Sequence, residues 1–311
     1  MSGCSKQAHS GSADVGLALP RLPPWGKPLM GKRPFLRSLG LTCGAGLLAG
    51  AYAWQIEPHW VDWVHRSLPL EGLPESIVGE RMVQLSDLHV GPQVKTSYLL
   101  SILQKVARSR PRWVLLTGDF VTYDGPWVLE ELDRLLGMVS PLGVSVFACL
   151  GNHDYGEKWS QTKVADTVSS ILARHGIQVL RNESVISSGL QLIGLEDYWG
   201  PGFDAKVALN DRDPTLPGVC LCHNPDGVDE TAFEAFEGWV FSGHTHGGQC
   251  RPPFLPPPIL PVKNRQYVAG EVSLGPKRRL YINRGLGHLI QARFNARPEV
   301  TVWNLMRASG R

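Results

Sequence analysis

One device recurs along the chain and limits its fold. Val146-Phe147-Ala148-Cys149-Leu150 is an apolar run that breaks at Gly151 into Asn152-His153-Asp154. Such a run reads as a buried strand whose C-terminal end delivers polar groups, where open α/β sheets carry their sites. Four more stretches repeat it. Met82-Val83-Gln84-Leu85-Ser86 leads into Asp87-Leu88-His89, and Trp113-Val114-Leu115-Leu116-Thr117 into Gly118-Asp119. Val219-Cys220-Leu221-Cys222 leads into His223-Asn224, and Trp239-Val240-Phe241-Ser242 into Gly243-His244-Thr245-His246. A lone Asp after a strand is usually a turn or cap residue, and a lone His is usually structural. Five strands that all end in Asp, Asn or His point instead to strand ends gathered around one site.

The residue types suit metal ions. Asp87 and His89 are two apart, so on an extended chain both point to one side and could share an ion. Asp119 is a lone carboxylate that can span two cations. Asn152 offers a neutral oxygen, and His223, His244 and His246 offer imidazole nitrogens. Mixed nitrogen and oxygen ligation without thiolate suits Mn, Fe or Zn better than Ca. His153 follows a ligand type but belongs to no ligand set, which leaves it to stabilise a phosphate or protonate a leaving oxygen.

Asp-x-His, Gly-Asp, Gly-Asn-His-Asp, His and Gly-His-Thr-His, in this order, resemble the calcineurin-like metallophosphoesterases. The resemblance runs from about Arg81 to the end of the chain. Gln84-Leu85-Ser86-Asp87-Leu88-His89, His223-Asn224-Pro225-Asp226, Gly243-His244-Thr245-His246-Gly247-Gly248-Gln249 and Arg293-Phe294-Asn295-Ala296-Arg297-Pro298-Glu299 are similar to motifs of the exported or membrane-attached bacterial phosphodiesterase branch. The resemblance implies two divalent metal ions. Asp87, His89, Asp119 and His246 would hold one, and Asp119, Asn152, His223 and His244 the other. It implies a phosphodiesterase in which a metal-bridging hydroxide attacks in line, with His153 as acid or transition-state stabiliser and Asp154 orienting His153 through its other ring nitrogen. A UDP-diacylglucosamine-type pyrophosphatase of lipid metabolism is the alternative substrate reading. A non-catalytic metal-binding scaffold is the alternative of another class, and the full set of ligand types together with His153 speaks against it. The protein Ser/Thr phosphatase branch carries Asp-Arg-Gly soon after Gly-Asp, whereas this chain reads Gly118-Asp119-Phe120-Val121-Thr122.

The rest of the chain supplies the frame. Apolar content of 43% over 311 residues supports a sizeable core, and a formal charge of +3 without a dense basic run gives no expectation of nucleic-acid binding. Residues 1–30, rich in Gly, Ser and Pro, read as a disordered extension. Lys32-Arg33-Pro34-Phe35-Leu36-Arg37, an apolar run from Leu39 and Ala51-Tyr52-Ala53 make residues 31–54 a signal peptide or membrane anchor, with Met30 as an alternative start. That places the protein in the cell envelope. Residues 55–79 read as a connector, and residues 80–308 as the metallophosphoesterase domain. Helical spacing predicts helices over 96–107 and 128–138; further helices are expected over 163–175, ended by Gly176, and over 226–236. Strands are expected over 177–180 and 190–195, and the tails 267–283 and 299–305 read as strands of a second sheet. The expected fold class is α/β: two packed mixed β-sheets flanked by helices, an α/β/β/α sandwich. Cys149, Cys220, Cys222 and Cys250 read as core residues, and His288 is assigned no role. Residues 251–261 hold six prolines and must form a stiff loop beside His246. Its Phe254, Leu255, Ile259 and Leu260 either form an apolar lip for a lipid-linked phosphodiester or a membrane surface, or fold back onto the second sheet.

Overall fold

Trp113–Thr117 is buried at every position, because both faces of its sheet are covered. Val114 and Leu116 pack towards helices, while Trp113 and Leu115 pack towards a second sheet. This explains why the strands read as continuous apolar runs rather than alternating ones. The structure, a computed structural model, describes residues 32–123, 125–139, 144–210 and 212–308. The extension 1–30 expected to be disordered lies outside the described residues. Two compact units are present, Met1–Leu47 and Leu48–Arg311. The first contributes most of helix α1 (Lys32–Ala51), whose described side chains are almost all exposed. Among the described residues no helix is long and apolar enough to cross a membrane.

In the second unit the chain runs β1 (Asp62–Leu70), β2 (Arg81–Leu85), α2 (Thr96–Ser109), β3 (Trp113–Thr117), α3 (Pro126–Gly137), β4 (Ser145–Cys149), α4 (Thr162–Arg174) and β5 (Ile177–Val179). It continues through β6 (Glu183–Ser187), β7 (Leu190–Gly194), α5 (Ala205–Asn210), β8 (Gly218–Leu221), β9 (Gly238–Ser242), β10 (Gly270–Ser273), β11 (Arg278–Ile282) and β12 (Glu299–Arg307). The first sheet has the order β1-β12-β2-β3-β4-β5, and the second β10-β11-β9-β8-β7-β6. Strands β2, β3 and β4 run parallel, as do β8 and β9, so their C-terminal ends open on shared edges. The architecture is the expected pair of mixed sheets flanked by helices.

Three local expectations are corrected. The stretch taken as a connector contains β1, which pairs in parallel with β12 over nine residues from Asp62↔Glu299 to Leu70↔Arg307. Pro69 is tolerated there because β1 lies at the sheet edge. Strand β12 does not join the second sheet. Val300 and Val302 face the helix-side core while Trp303 and Leu305 face the inter-sheet core, so the strand needs cover on both faces, and it inserts between β1 and β2. The helix expected over 226–236 is two short turns, Pro225–Asp229 and Thr231–Ala235, separated by an extended Glu230. Asn224 caps the first turn, and the Asp226 carboxylate accepts the backbone N–H groups of Lys263 and Asn264. Those long-range bonds hold the segment out of a continuous helix.

The inter-sheet layer centres on Trp303, which is fully buried. Its ring stacks on Phe241 at 4.9 Å and meets Tyr281 at 4.7 Å and Trp239 at 5.3 Å, edge to face. Trp239, Phe241 and Tyr281 come from the second sheet, so this one side chain of β12 joins the two layers. Trp303→Ala is expected to lower unfolding free energy by about 3–5 kcal/mol, read as a fall in the denaturant midpoint.

Candidate metal centre

The strand ends meet through their backbones before any side chain is considered. Asp87 N–H donates to the Gly118 carbonyl, His89 N–H to that of Asp119, and Gly243 N–H to that of His223. Asp87, His89, Asp119, His244 and His246 all take positive φ, between 48° and 68°. This left-handed conformation costs an ordinary residue about 1–2 kcal/mol, and it clusters where a surrounding structure holds a site in place. Here it turns each side chain off its strand axis towards the shared edge. Gly243 makes room for the convergence, because a Cβ there would run into the Ser86 hydroxyl and the Asp87 carboxylate.

All seven residues expected to bind metal come together in the interior, in two groups that share Asp119. Asp87, His89, Asp119 and His246 each place one ligand-type atom within 4.8 Å of the others, as do Asp119, His223 and His244. Asn152 Oδ1 lies 2.9 Å from His244 Nδ1. In the first group His89 Nε2 is 3.1 Å from His246 Nε2 and 3.4 Å from Asp119 Oδ2, and His246 Nε2 is 3.3 Å from Asp87 Oδ1. In the second, His223 Nδ1 donates to the Thr117 carbonyl at 2.6 Å, which turns Nε2 towards Asp119 Oδ2 at 3.3 Å. His244 Nε2 donates to the Pro261 carbonyl at 2.8 Å, so its Nδ1 presents a lone pair to the Asn152 oxygen. Lone pairs this close repel unless a cation lies between them. The set therefore fits divalent ions, and carbonyls fix the tautomers of His223 and His244 as ligand imidazoles require.

Charge is concentrated and buried. Burial pushes the Asp87 carboxyl up to about 6, and lowers His89 and His244 to about 3. Burial would also lower His223, but the Asp119 carboxylate outweighs it and holds that imidazole well above its usual range. The same attraction overcomes burial at Asp119 and keeps its carboxyl well below the ordinary value. Arg293, fully buried, sets its guanidinium 3.4 Å from His246 Nδ1 and donates to the carbonyls of Arg284, Gly285, Gly287 and Ala296. Burial lowers it to about 10.

His153 stands beside the first group, half-buried, with its ring 5.0 Å from that of His89. Its backbone N–H donates to Asp119 Oδ1 at 2.9 Å. The role expected for Asp154 is corrected here. His153 Nδ1 faces the Thr122 carbonyl at 2.9 Å, so that carbonyl orients the ring. The Asp154 carboxylate instead accepts backbone N–H groups from Asp119, Phe120, Val121 and Gly151 at 2.8–3.2 Å. It ties the strand end carrying Asp119 to the one carrying Asn152. Burial and the nearby Asp119 charge push it up to about 8, against the pull of these donors.

His288 lies outside both groups, with Nε2 on the Gln93 carbonyl at 3.1 Å. Cys149, Cys220 and Cys222 are buried and Cys250 is half-buried, all unpaired and outside both groups. The proline-rich loop splits its apolar residues. Leu260 is buried while Phe254, Leu255 and Ile259 are 106%, 64% and 78% exposed. Arg265 pins the inner part by donating to the Pro257 and Leu260 carbonyls. Neither the contact of Pro261 with His244 nor that of Arg293 with His246 has a local signal in the sequence, since each joins segments brought together only by the fold.

An amide in place of the Asp154 carboxylate would turn an N–H towards one of the four backbone donors. Asp154→Asn is expected to cost about 1–3 kcal/mol and to lower metal content along with it. Thermal unfolding and metal analysis of the purified variant check this; a role confined to the His153 ring would leave metal content intact.

The Calcineurin-like phosphoesterase family profile matches residues 80–248. The chain is 30% identical to phosphodiesterase YaeI of Escherichia coli over 284 residues, 89% of this chain and all of that one. It is 30% identical over 315 residues to the UDP-2,3-diacylglucosamine pyrophosphatase LpxG of Chlamydia trachomatis, covering 85% of this chain and 94% of that one. An uncharacterized metallophosphoesterase of Bacillus subtilis, YkuE, is 28% identical over 89% of this chain and 98% of its own. With these matches over most of its length and the clustered acids and histidines at its strand ends, the chain belongs to the calcineurin-like metallophosphoesterases and is a metal-dependent phosphoester hydrolase.

Proposed function

We propose that the protein is a dinuclear phosphodiesterase. The observation that carries this reading is the pair of ligand groups sharing one carboxylate oxygen, Asp119 Oδ2, with His153 beside them and outside both. Asp87, His89, Asp119 and His246 would hold one divalent ion, and Asp119, Asn152, His223 and His244 the other, with Mn, Fe or Zn suited to these donors. Bound there, two cations supply Lewis-acid activation of water and neutralise charge on the phosphoryl oxygens. The protein's own part is positional. Thr117 and Pro261 carbonyls hold His223 and His244 in their ligand tautomers. The Thr122 carbonyl takes His153 Nδ1–H, which leaves Nε2 to carry a proton to the leaving oxygen.

The name of LpxG favours a second, narrower reading of the substrate: the pyrophosphate of a UDP-diacylglucosamine-type compound, as that name states for LpxG. Phe254, Leu255 and Ile259 project from a loop whose Pro261 carbonyl touches His244, which suits a lip that receives an acyl chain or rests on a membrane surface. The basic cluster, apolar run and Ala51-Tyr52-Ala53 support an envelope location, with residues 31–54 as signal or anchor.

His153→Ala is expected to retain its metals and to lose about 10²–10⁴-fold in turnover of a bis-aryl phosphate, measured together with metal content. Near-normal turnover would remove His153 from the mechanism. Replacing Phe254 and Leu255 with Ser is expected to raise KM for a lipid phosphodiester relative to KM for a small soluble one. Equal effects on both substrates would make the loop simple packing.

A further inference from the structure

Two tryptophans stand at the rim of the metal centre on loops that the reaction itself does not require. Trp159 follows the turn carrying His153, and Trp199 follows β7. Their rings stack at 4.7 Å with 25° between planes. The Trp199 and His244 rings meet edge to face at 4.5 Å, and the Trp159 ring lies 6.5 Å from that of His153. One face of Trp159 is covered by Trp199, yet the residue remains 38% exposed. A group bound between His153 and His244 therefore has a flat aromatic surface beside it.

This surface is held in place on both sides. Lys158 and Trp159 are consecutive non-glycine residues in the left-handed region, at φ 55° and 56°. Such pairs persist only where the surroundings enforce them, and they concentrate at ligand-binding positions. The Trp159 N–H is tied to the Gly156 carbonyl at 3.1 Å. On the other loop, the buried Asp197 carboxylate accepts the Trp199 N–H at 2.8 Å. The loops are braced to each other because the Tyr155 hydroxyl donates to Glu196, which also accepts from Arg181 at 2.8 Å. An exposed indole held in a strained backbone contributes nothing to the core, and a rigid flat face suits a flat ligand. An alkyl chain would instead call for a channel of aliphatic side chains, and the rings that meet Trp159 are those of His153 and Trp199.

We propose that Trp159, backed by Trp199, is a specificity-determining shelf that stacks a planar ring, a nucleobase or aryl group, carried by the substituent that stays on phosphorus. This rests on the phosphodiesterase reading. The test uses the metal-loaded full chain and three 4-nitrophenyl phosphodiesters whose second substituent is thymidine (through its 5′ oxygen), methyl or decyl. The leaving group is common to all three, so its own contacts cancel in the ratios. Trp159→Ala is expected to lower the thymidine-to-methyl ratio of kcat/KM by about 5- to 100-fold, the range for loss of one base–aromatic stack, and Trp159→Phe to restore much of it. Quenching of tryptophan fluorescence by thymidine 5′-monophosphate should saturate in the wild type and vanish in Trp159→Ala. An unchanged thymidine-to-methyl ratio overturns the shelf, and so does a fall confined to the decyl-to-methyl ratio, which would make the surface an alkyl site. If the wild type hydrolyses none of the three esters, the phosphodiesterase reading fails and the fluorescence titration alone decides the shelf.

Discussion

The carboxylate of Asp119 is the interaction on which the rest of the site depends. Its Oδ2 faces the Nε2 atoms of both His89 and His223, and its Oδ1 accepts the N–H of His153. Its own N–H donates to Asp154, and its carbonyl accepts from His89. One residue thus joins four strand ends through both its side chain and its backbone. Placed in the interior, such a charge is tolerable only among hydrogen-bond donors and cations. The imidazoles and backbone amides around it supply donors, and its attraction to His223 raises the pKa of that imidazole.

The two sheets make this possible by different means. The first presents Asp87, Asp119 and Asn152 from adjacent parallel strands, and the second presents His223 and His244 from two more. The sheets are held face to face by a buried aromatic layer around Trp303. The layer sets how far apart the acidic and imidazole halves of the site can lie, so packing in the core and ligand spacing at the edge are one geometric problem. Left-handed turns at five of the ligand-type residues then complete the approach that straight strands could not make.

Much of this is readable in the sequence because the signal is local. A run such as Val146 to Leu150 breaking into Gly-Asn-His-Asp states both strand and site in nine residues. The expectations that failed all depended on long-range partners. A helix is expected over 226–236, but Asp226 binds the backbone at 263–264 and the segment turns instead. Asp154 adjoins His153 in sequence, yet its carboxylate points to the amides of another strand end. Strand β1 shows only a partly buried, Pro-bearing pattern, and its place is set by β12, more than two hundred residues away. Trp159 and Trp199 carry no motif, and only the fold stacks them.

The position of β12 also governs when the fold can be finished. It follows every other described strand in sequence, yet it lies inside the first sheet, antiparallel to β2 on one edge and parallel to β1 on the other. It also brings Trp303 to the inter-sheet layer. Until Glu299–Arg307 is docked, β1 has no strand that joins it to the rest of the sheet. Pairings of such long sequence separation form slowly. Completion of the first sheet therefore waits on this long-range pairing, and until then the exposed edge of β2 and the open aromatic layer are surfaces on which chaperones could act.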